Sequence, residues 1–130
     1  MNVLYKICAS LIILLHISAC EYDDTKLTSA FDITDCKKIN KDQYGQYAKL
    51  VLTIKNNSSS ELSGWAYIKI KKGNTIIETS SVSFDYLNAG ESSIEEALFD
   101  KFSNHHEYDQ ANIKLHWTVD STGYSKEFNF

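Results

Sequence analysis

The amino-acid sequence predicts an all-β fold, an antiparallel β-sandwich of about seven short strands. Two observations carry the prediction. Apolar and polar residues alternate along most of the chain from Phe31 onward, and short polar turns separate the alternating segments. A period of two places one set of side chains on the buried face of a strand and the other set in solvent. Several short strands in succession are typical of a sandwich.

Three segments show the alternation most clearly, and each predicts an inward-facing set. In residues 47–55 and 113–119 these sets are Ala48, Leu50, Leu52 and Ile54, and Ile113, Leu115, Trp117 and Val119. In residues 62–71 the set is Ala66, Ile68 and Ile70. The turn Lys72-Gly73-Asn74 then predicts a hairpin into a strand that contains Ile76 and Ile77.

The remaining strands are predicted at Phe31 and Ile33, over residues 82–86, and over residues 124–130. Residues 93–102 leave two alternatives open. The run from Ser93 to Glu96 resembles a helix capping box, and Ile94, Ala97, Leu98 and Phe102 recur at helical spacing. A short helix therefore competes with a further strand in this segment.

The charge balance argues against nucleic acid as a partner. The chain has 130 residues and a formal net charge of −4, and all its basic residues except histidine are lysines. Phosphate binding depends on an excess of basic side chains, and arginine is the residue that clamps phosphate or carboxylate with two hydrogen bonds. We expect no nucleic-acid partner.

The first residues predict a cleaved signal peptide. Lys6 precedes an apolar run, residues 7–17, which is shorter than the roughly 20 apolar residues that a membrane-spanning helix needs. The run ends in Ile17-Ser18-Ala19-Cys20, which resembles the lipobox of bacterial lipoproteins. The resemblance implies cleavage between Ala19 and Cys20 and a lipid on Cys20.

The lipobox resemblance also implies a location and a division of the chain. Residues 1–19 would be the signal peptide, 20–29 a lipidated tether, and 30–130 the folded domain. Two or three acyl chains, at about 0.8 kcal/mol for each buried methylene, would anchor the protein to a membrane. Glu21 follows the lipidated position, where such lipoproteins carry Asp when they stay at the inner membrane. The periplasmic side of the outer membrane is therefore favoured.

Cys36 has no predicted disulfide partner in the mature chain, because Cys8 leaves with the signal peptide and the thiol of Cys20 carries lipid. A cysteine without a partner behaves as a small hydrophobic residue. We expect Cys36 to be buried.

The folded part resembles the immunoglobulin-like domains of small envelope lipoproteins, among them the FxLYD type. The residues that carry the resemblance are Asn56-Asn57-Ser58 at a strand end, Gly73 in the next hairpin, and the segment Leu87-Asn88-Ala89-Gly90-Glu91-Ser92. Ile68-Lys69-Ile70 stands where that family has its LYD-like segment, and Ala89 stands where it usually has proline. The resemblance implies a fold and no functional residues.

Trp65 and Tyr67 are the candidate interaction residues. They fall on the face opposite Ala66, Ile68 and Ile70, so the alternation predicts that they are exposed. Exposed aromatic side chains can form a protein-binding or glycan-binding patch. The alternative is that Trp65 is the core tryptophan and that the register is shifted by one residue.

Metal and catalytic sites have weaker support. The candidate metal ligands are His105, His106, Asp109 and His116, but no familiar ligand spacing is present. No serine lies in a GxSxG motif, and the neighbouring Glu95 and Glu96 would face apart on a strand. We expect no cofactor and no enzymatic activity.

The sequence therefore predicts a lipid-anchored envelope protein that acts as an interaction or accessory module with an envelope protein partner. Two alternatives remain: a periplasmic inhibitor or immunity lipoprotein, and a small metal-dependent enzyme.

Overall fold

A computed structural model of the chain describes residues 27–42 and 45–130. The strands in this part are β1 (Phe31–Ile39), β2 (Ala48–Asn56), β3 (Leu62–Lys72), β4 (Thr75–Leu87), β5 (Ser92–Phe99), β6 (Gln110–Val119) and β7 (Thr122–Asn129), and a short 3₁₀ helix (His105–Glu107) precedes β6. The predicted signal peptide and Cys20 lie outside the described residues.

The strands form two antiparallel sheets, which confirms the predicted all-β sandwich of about seven strands. The three-stranded sheet has the order β1-β2-β5, and the four-stranded sheet has the order β4-β3-β6-β7. A two-residue turn joins β3 to β4, with Gly73 at a φ of 58°, so β4 pairs beside β3 in the four-stranded sheet. In constant-type immunoglobulin domains the fourth strand belongs to the other sheet.

The inner faces of both sheets form one apolar core, and the predicted inward-facing sets are confirmed. The fully buried side chains include Leu50, Leu52 and Ile54 of β2, Ile68 and Ile70 of β3, and Ile113 and Leu115 of β6. Trp117 is the core tryptophan: its ring meets Phe31 edge-on, with centroids 5.4 Å apart, and its Nε1 donates a hydrogen bond to the carbonyl of Leu27. The domain packing thus reaches back to Leu27.

Two local predictions need correction. The two predicted strands at Ile76–Ile77 and residues 82–86 are one continuous strand, β4, because the polar residues between them extend along the edge of the sheet instead of turning. The helix considered for residues 93–102 does not form. Residues 92–99 are the strand β5, in which Ala97 and Phe99 face the core.

The strand β5 also carries an inward-facing charge. Its partner is β2 on one side only, so its other side is an edge of the three-stranded sheet. Glu95 lies on the same face as Ala97 and accepts a hydrogen bond from the hydroxyl of Ser93. Inward-pointing charged residues on edge strands oppose pairing with another chain.

Asn56, at the end of β2, is the one buried polar residue among the described core positions. Its side-chain amide donates hydrogen bonds to the carbonyls of Ser60 and Leu87, both at 2.8 Å. Its Oδ1 accepts from the backbone N–H and the hydroxyl of Ser58, at 2.9 and 2.7 Å. Its backbone pairs with Glu91 and Gly90. Asn56 therefore joins the β2–β3 loop, the end of β4 and the β4–β5 loop.

Within the described ranges, no helix has the length and apolar character needed to cross a membrane.

We expect Asn56→Ala to lower the free energy of unfolding by about 3 kcal/mol, because it leaves buried carbonyl and N–H groups without partners. Chemical denaturation of the purified domain measures the loss. The matched control is Asn57→Ala, since the Asn57 side chain is exposed and only its backbone N–H bonds to Ala30. Equal stability of the two variants would contradict the assigned role of Asn56.

Candidate functional site

The outer face of the four-stranded sheet carries the predicted interaction residues in a defined register. Trp65 of β3 lies directly opposite Ser83 of β4 on one side and His116 of β6 on the other. His116 in turn lies opposite Ser125 of β7. One row across the sheet therefore reads Ser83, Trp65, His116, Ser125, with two rings in the middle and two short side chains outside them.

Trp65 is exposed, as the alternation predicts, and the alternative with Trp65 in the core is wrong. Its side chain is 45% exposed, whereas Trp117 is 2% exposed. The indole stacks on the imidazole of His116, with centroids 4.0 Å apart and planes 12° apart. The stack supports one face of the indole, and the short Ser83 side chain on the other side leaves room above β4.

Tyr67 lies on the same face but is half-buried. The ammonium group of Lys69 lies 5.7 Å from the centroid of its ring, within the range of a cation–π interaction. The two predicted residues thus differ in what contacts their rings. The ring of Tyr67 contacts the Lys69 ammonium group, whereas the ring of Trp65 stacks on His116.

An open groove of about 770 Å³ crosses this end of the sheet beside Trp65. We call it the Trp65 groove, and its lining comes from all four strands and includes Glu61, Ser63, Ser83, Asp85, Thr118 and Ser125. Two of these residues are carboxylates and none is a lysine. In the described part of the chain, neither Glu61 nor Asp85 forms an ion pair. The groove therefore combines an exposed indole with uncompensated negative charge.

A β-bulge shapes the acidic end of the groove. Leu62 pairs with Leu87 and Gly64 with Phe84, so Ser63 alone faces two residues of β4, Asp85 and Tyr86. Tyr86 has a φ of 51° and is 75% exposed, and its N–H donates to the hydroxyl of Ser63 at 2.8 Å. A positive φ is uncommon for residues other than glycine and costs about 1 kcal/mol or more. Such strain occurs often at functional sites.

Gly64 holds β3 close to its neighbours beside Trp65. A Cβ atom at this position would lie 2.4 Å from the carbonyl oxygen of His116 and 2.6 Å from the Phe84 ring. Only glycine allows β3 to approach both β6 and Phe84 this closely. Gly64 therefore supports the placement of the neighbouring Trp65.

The electrostatic environment keeps His116 neutral. Burial of the imidazole lowers its pKa below the ordinary value of 6.5, and the nearby Lys114 ammonium lowers it further. Close to neutral pH the ring stacked on Trp65 therefore adds no positive charge to the groove.

The candidate metal ligands do not converge. His105 bonds to Asn40 through its N–H and its ring, and the carboxylate of Asp109 accepts from the N–H of Gly73 at 2.8 Å. His116 lies seven residues beyond Asp109 along β6, about 23 Å away at 3.3 Å per residue. The ring of His106 lies beside that of His105, with centroids 4.4 Å apart and planes tilted by 39°. Among the described residues, no three His, Cys, Asp or Glu side chains are close enough to hold a metal ion.

The carboxylates considered for acid–base chemistry point to opposite faces of β5. Glu95 faces inward and bonds to Ser93, and Glu96 faces outward and pairs with Lys49 at 3.1 Å. Ser58 donates its hydroxyl hydrogen bond to the side chain of Asn56 and to the carbonyl of Ser60 within a turn. Glu95, Glu96 and Ser58 therefore form contacts within the folded domain.

Cys36 is half-buried and packs against the core. Burial raises the pKa of its thiol to about 11. The thiolate is the nucleophilic form, so Cys36 is a poor nucleophile at neutral pH. Cys36 is thus less buried than expected, although its packing against the core agrees with the expected role as a small hydrophobic residue.

Sequence reasoning missed Glu61, Asp85 and the pairing of His116 with Trp65. The pairing depends on the register between β3 and β6, which are far apart in the chain. Asp85 follows the buried Phe84, so alternation in β4 places it on the outer face with Ser83, but its position beside Glu61 depends on the pairing of β4 with β3. The sequence does give one signal for His116. Its neighbours Leu115 and Trp117 are predicted to face inward, so alternation in β6 places His116 on the outer face.

Comparison of the chain with protein-family models and with curated protein sequences gave no match.

We expect Trp65→Ala to raise the pKa of His116 toward 6.5, because removal of the indole hydrates the ring. Lys114→Gln should raise it by less, since the lysine charge is the smaller cause. Titration of the imidazole C–H resonances by NMR measures both shifts. Ile94→Ser, on the outer face of the other sheet, is the control; an unchanged His116 pKa in Trp65→Ala would disprove the link.

Proposed function

We propose that the chain is a lipid-anchored protein of the cell envelope that acts as a non-enzymatic recognition module, with the Trp65 groove as its binding surface. The observation that carries the proposal is the exposed indole of Trp65, stacked on His116 within a groove built by four strands. Large, rigid aromatic side chains contribute much of the binding energy at protein interfaces.

The rigidity of the face supports the proposal. Trp65 lies on a central strand of the sheet, with β4 and β6 as its neighbours, so its backbone position is fixed before any partner arrives. A surface that is ordered in advance loses less conformational entropy on binding. The strained Tyr86 and its bulge lie at the same end of the sheet, as expected for a functional surface.

The second candidate is an inhibitor or immunity protein that blocks one enzyme. The pair of carboxylates, Glu61 and Asp85, favours it, because an acidic surface can occupy a basic cleft. Both candidates use the same groove and differ in the identity of the partner.

A photo-crosslinking amino acid at Ser83 or Ser125 should crosslink a partner protein in intact cells, whereas the same group at Ser92 on the other sheet should not. Ser83 and Ser125 flank the Trp65–His116 pair on exposed strand positions. Adding Trp65→Ala should remove the crosslinked band. Immunoblotting detects the product, and mass spectrometry of it separates an enzyme target from a structural envelope protein. Equal crosslinking from Ser92 would exclude the Trp65 groove as the binding surface.

Cys20→Ser should abolish incorporation of labelled palmitate and move the protein out of the membrane fraction of a bacterial host that processes lipoproteins. The matched control, Cys36→Ser, removes a thiol that packs against the core and should leave labelling intact. Fractionation and fluorography measure both. Full membrane retention and normal maturation of Cys20→Ser would refute the proposed anchor.

A further inference from the structure

We infer that the Trp65 groove binds a basic segment of a partner protein, with a lysine or arginine side chain lying against the indole of Trp65 and between Asp85 and Glu61. This inference rests on the proposed function and names the chemistry of the partner.

The protein itself shows how its aromatic rings bind cations. Lysine ammonium groups lie over three rings: Lys38 over Tyr108, Lys69 over Tyr67, and Lys126 over Phe128, at 5.0 to 5.7 Å. Tryptophan binds cations better than tyrosine or phenylalanine. Yet in the described part of the chain no lysine lies over Trp65. The strongest cation-binding ring of this face is therefore open to a cation from another molecule.

The charges that line the groove favour a positively charged ligand over a negatively charged one. Glu61 and Asp85 line the groove without an ion pair in the described residues, and the groove lining contains no lysine. His116 supports the indole from one side as a neutral ring. Lys114 lies near His116 but outside the groove lining. Within the lining an anionic ligand would meet two carboxylates, whereas a cationic one gains from both carboxylates and from the ring.

The length of the groove favours a peptide segment over a single ammonium group. The lining residues come from four adjacent strands, which at about 4.8 Å between strands span about 14 Å. An extended chain rises about 3.3 Å per residue, so about four residues of a partner fit across the sheet. The short side chains of Ser63, Ser83 and Ser125 leave space for its backbone.

The test measures binding of a capped peptide, Gly-Arg-Gly-Arg-Gly with a neutral fluorophore, to the mature protein extracted from membranes in a neutral detergent. Fluorescence anisotropy gives the affinity. Matched peptides replace both arginines with glutamine or with glutamate. We expect the arginine peptide to bind and the other two not to bind. Raising the salt from about 50 to about 500 mM should weaken binding, because the carboxylates are exposed to solvent.

Variants separate the contributions. Trp65→Ala should weaken the arginine peptide about tenfold, in line with a cation–π interaction. Asp85→Asn and Glu61→Gln should each weaken it several-fold, and Ile94→Ser, on the other sheet, should leave it unchanged. Asp85→Lys should abolish binding of the arginine peptide, and Asp85→Lys combined with Glu61→Lys should create binding of the glutamate peptide. Asp85 and Glu61 are exposed, so these variants keep the test valid even if Trp65→Ala lowers stability.

Equal binding of the arginine and glutamine peptides, or full binding by Trp65→Ala and Asp85→Asn, would overturn the inference. Tighter binding of a neutral oligosaccharide such as chitotriose, lost in Trp65→Ala, would overturn it in favour of a glycan ligand. If crosslinking from Ser83 persists while the arginine peptide fails to bind, the proposed function stands and the basic partner is wrong. If both fail, the groove is not a binding surface.

Discussion

The buried side chain of Asn56 is the constraint on which the loops at one end of the sandwich depend. A polar group in an apolar core is unfavourable unless every hydrogen-bonding atom has a partner, and the amide of Asn56 meets this condition with bonds to Ser58, Ser60 and Leu87. These bonds determine where β3 begins and where β4 ends. Glu61 directly precedes β3, and Asp85 lies two residues before the end of β4, so the same amide positions the acidic end of the Trp65 groove.

The core and the candidate site share one set of strands. In β3 the inward residues Ala66, Ile68 and Ile70 hold the sheet against its partner, and the alternate residues Trp65 and Tyr67 form the outer face. Gly64 completes this arrangement, because a larger residue would push β3 away from β6 and separate Trp65 from His116. Packing inside the sandwich and the geometry of its outer face are therefore coupled.

The strands and their buried faces could be predicted from the sequence because alternation is a local pattern with a strict period. It identified the inward sets of β2, β3 and β6 and the exposure of Trp65. Where local patterns conflicted, prediction failed: Ile94, Ala97 and Leu98 fit a helical spacing as well as a strand, and only pairing with β2 decides between them. The polar stretch Thr79-Ser80-Ser81 resembled a break in β4 for the same reason.

The geometry of the Trp65 groove could not be predicted from the sequence, for a different reason. Tyr86 adopts a positive φ that its residue type disfavours, so nothing local predicts the bulge that turns Tyr86 outward beside Asp85. The stack of Trp65 on His116 depends on the register of two strands joined through β4 and β5. Both features are determined by tertiary pairing, which the sequence does not display as a pattern.

The inward-facing Glu95 on the edge strand β5 has a consequence for how the protein behaves when many copies are crowded together. A second strand that docked on this edge would cover the carboxylate and remove its water, at a cost that the new backbone hydrogen bonds must offset. Pairing between copies through the β5 edge is therefore disfavoured, even when the molecules are crowded together.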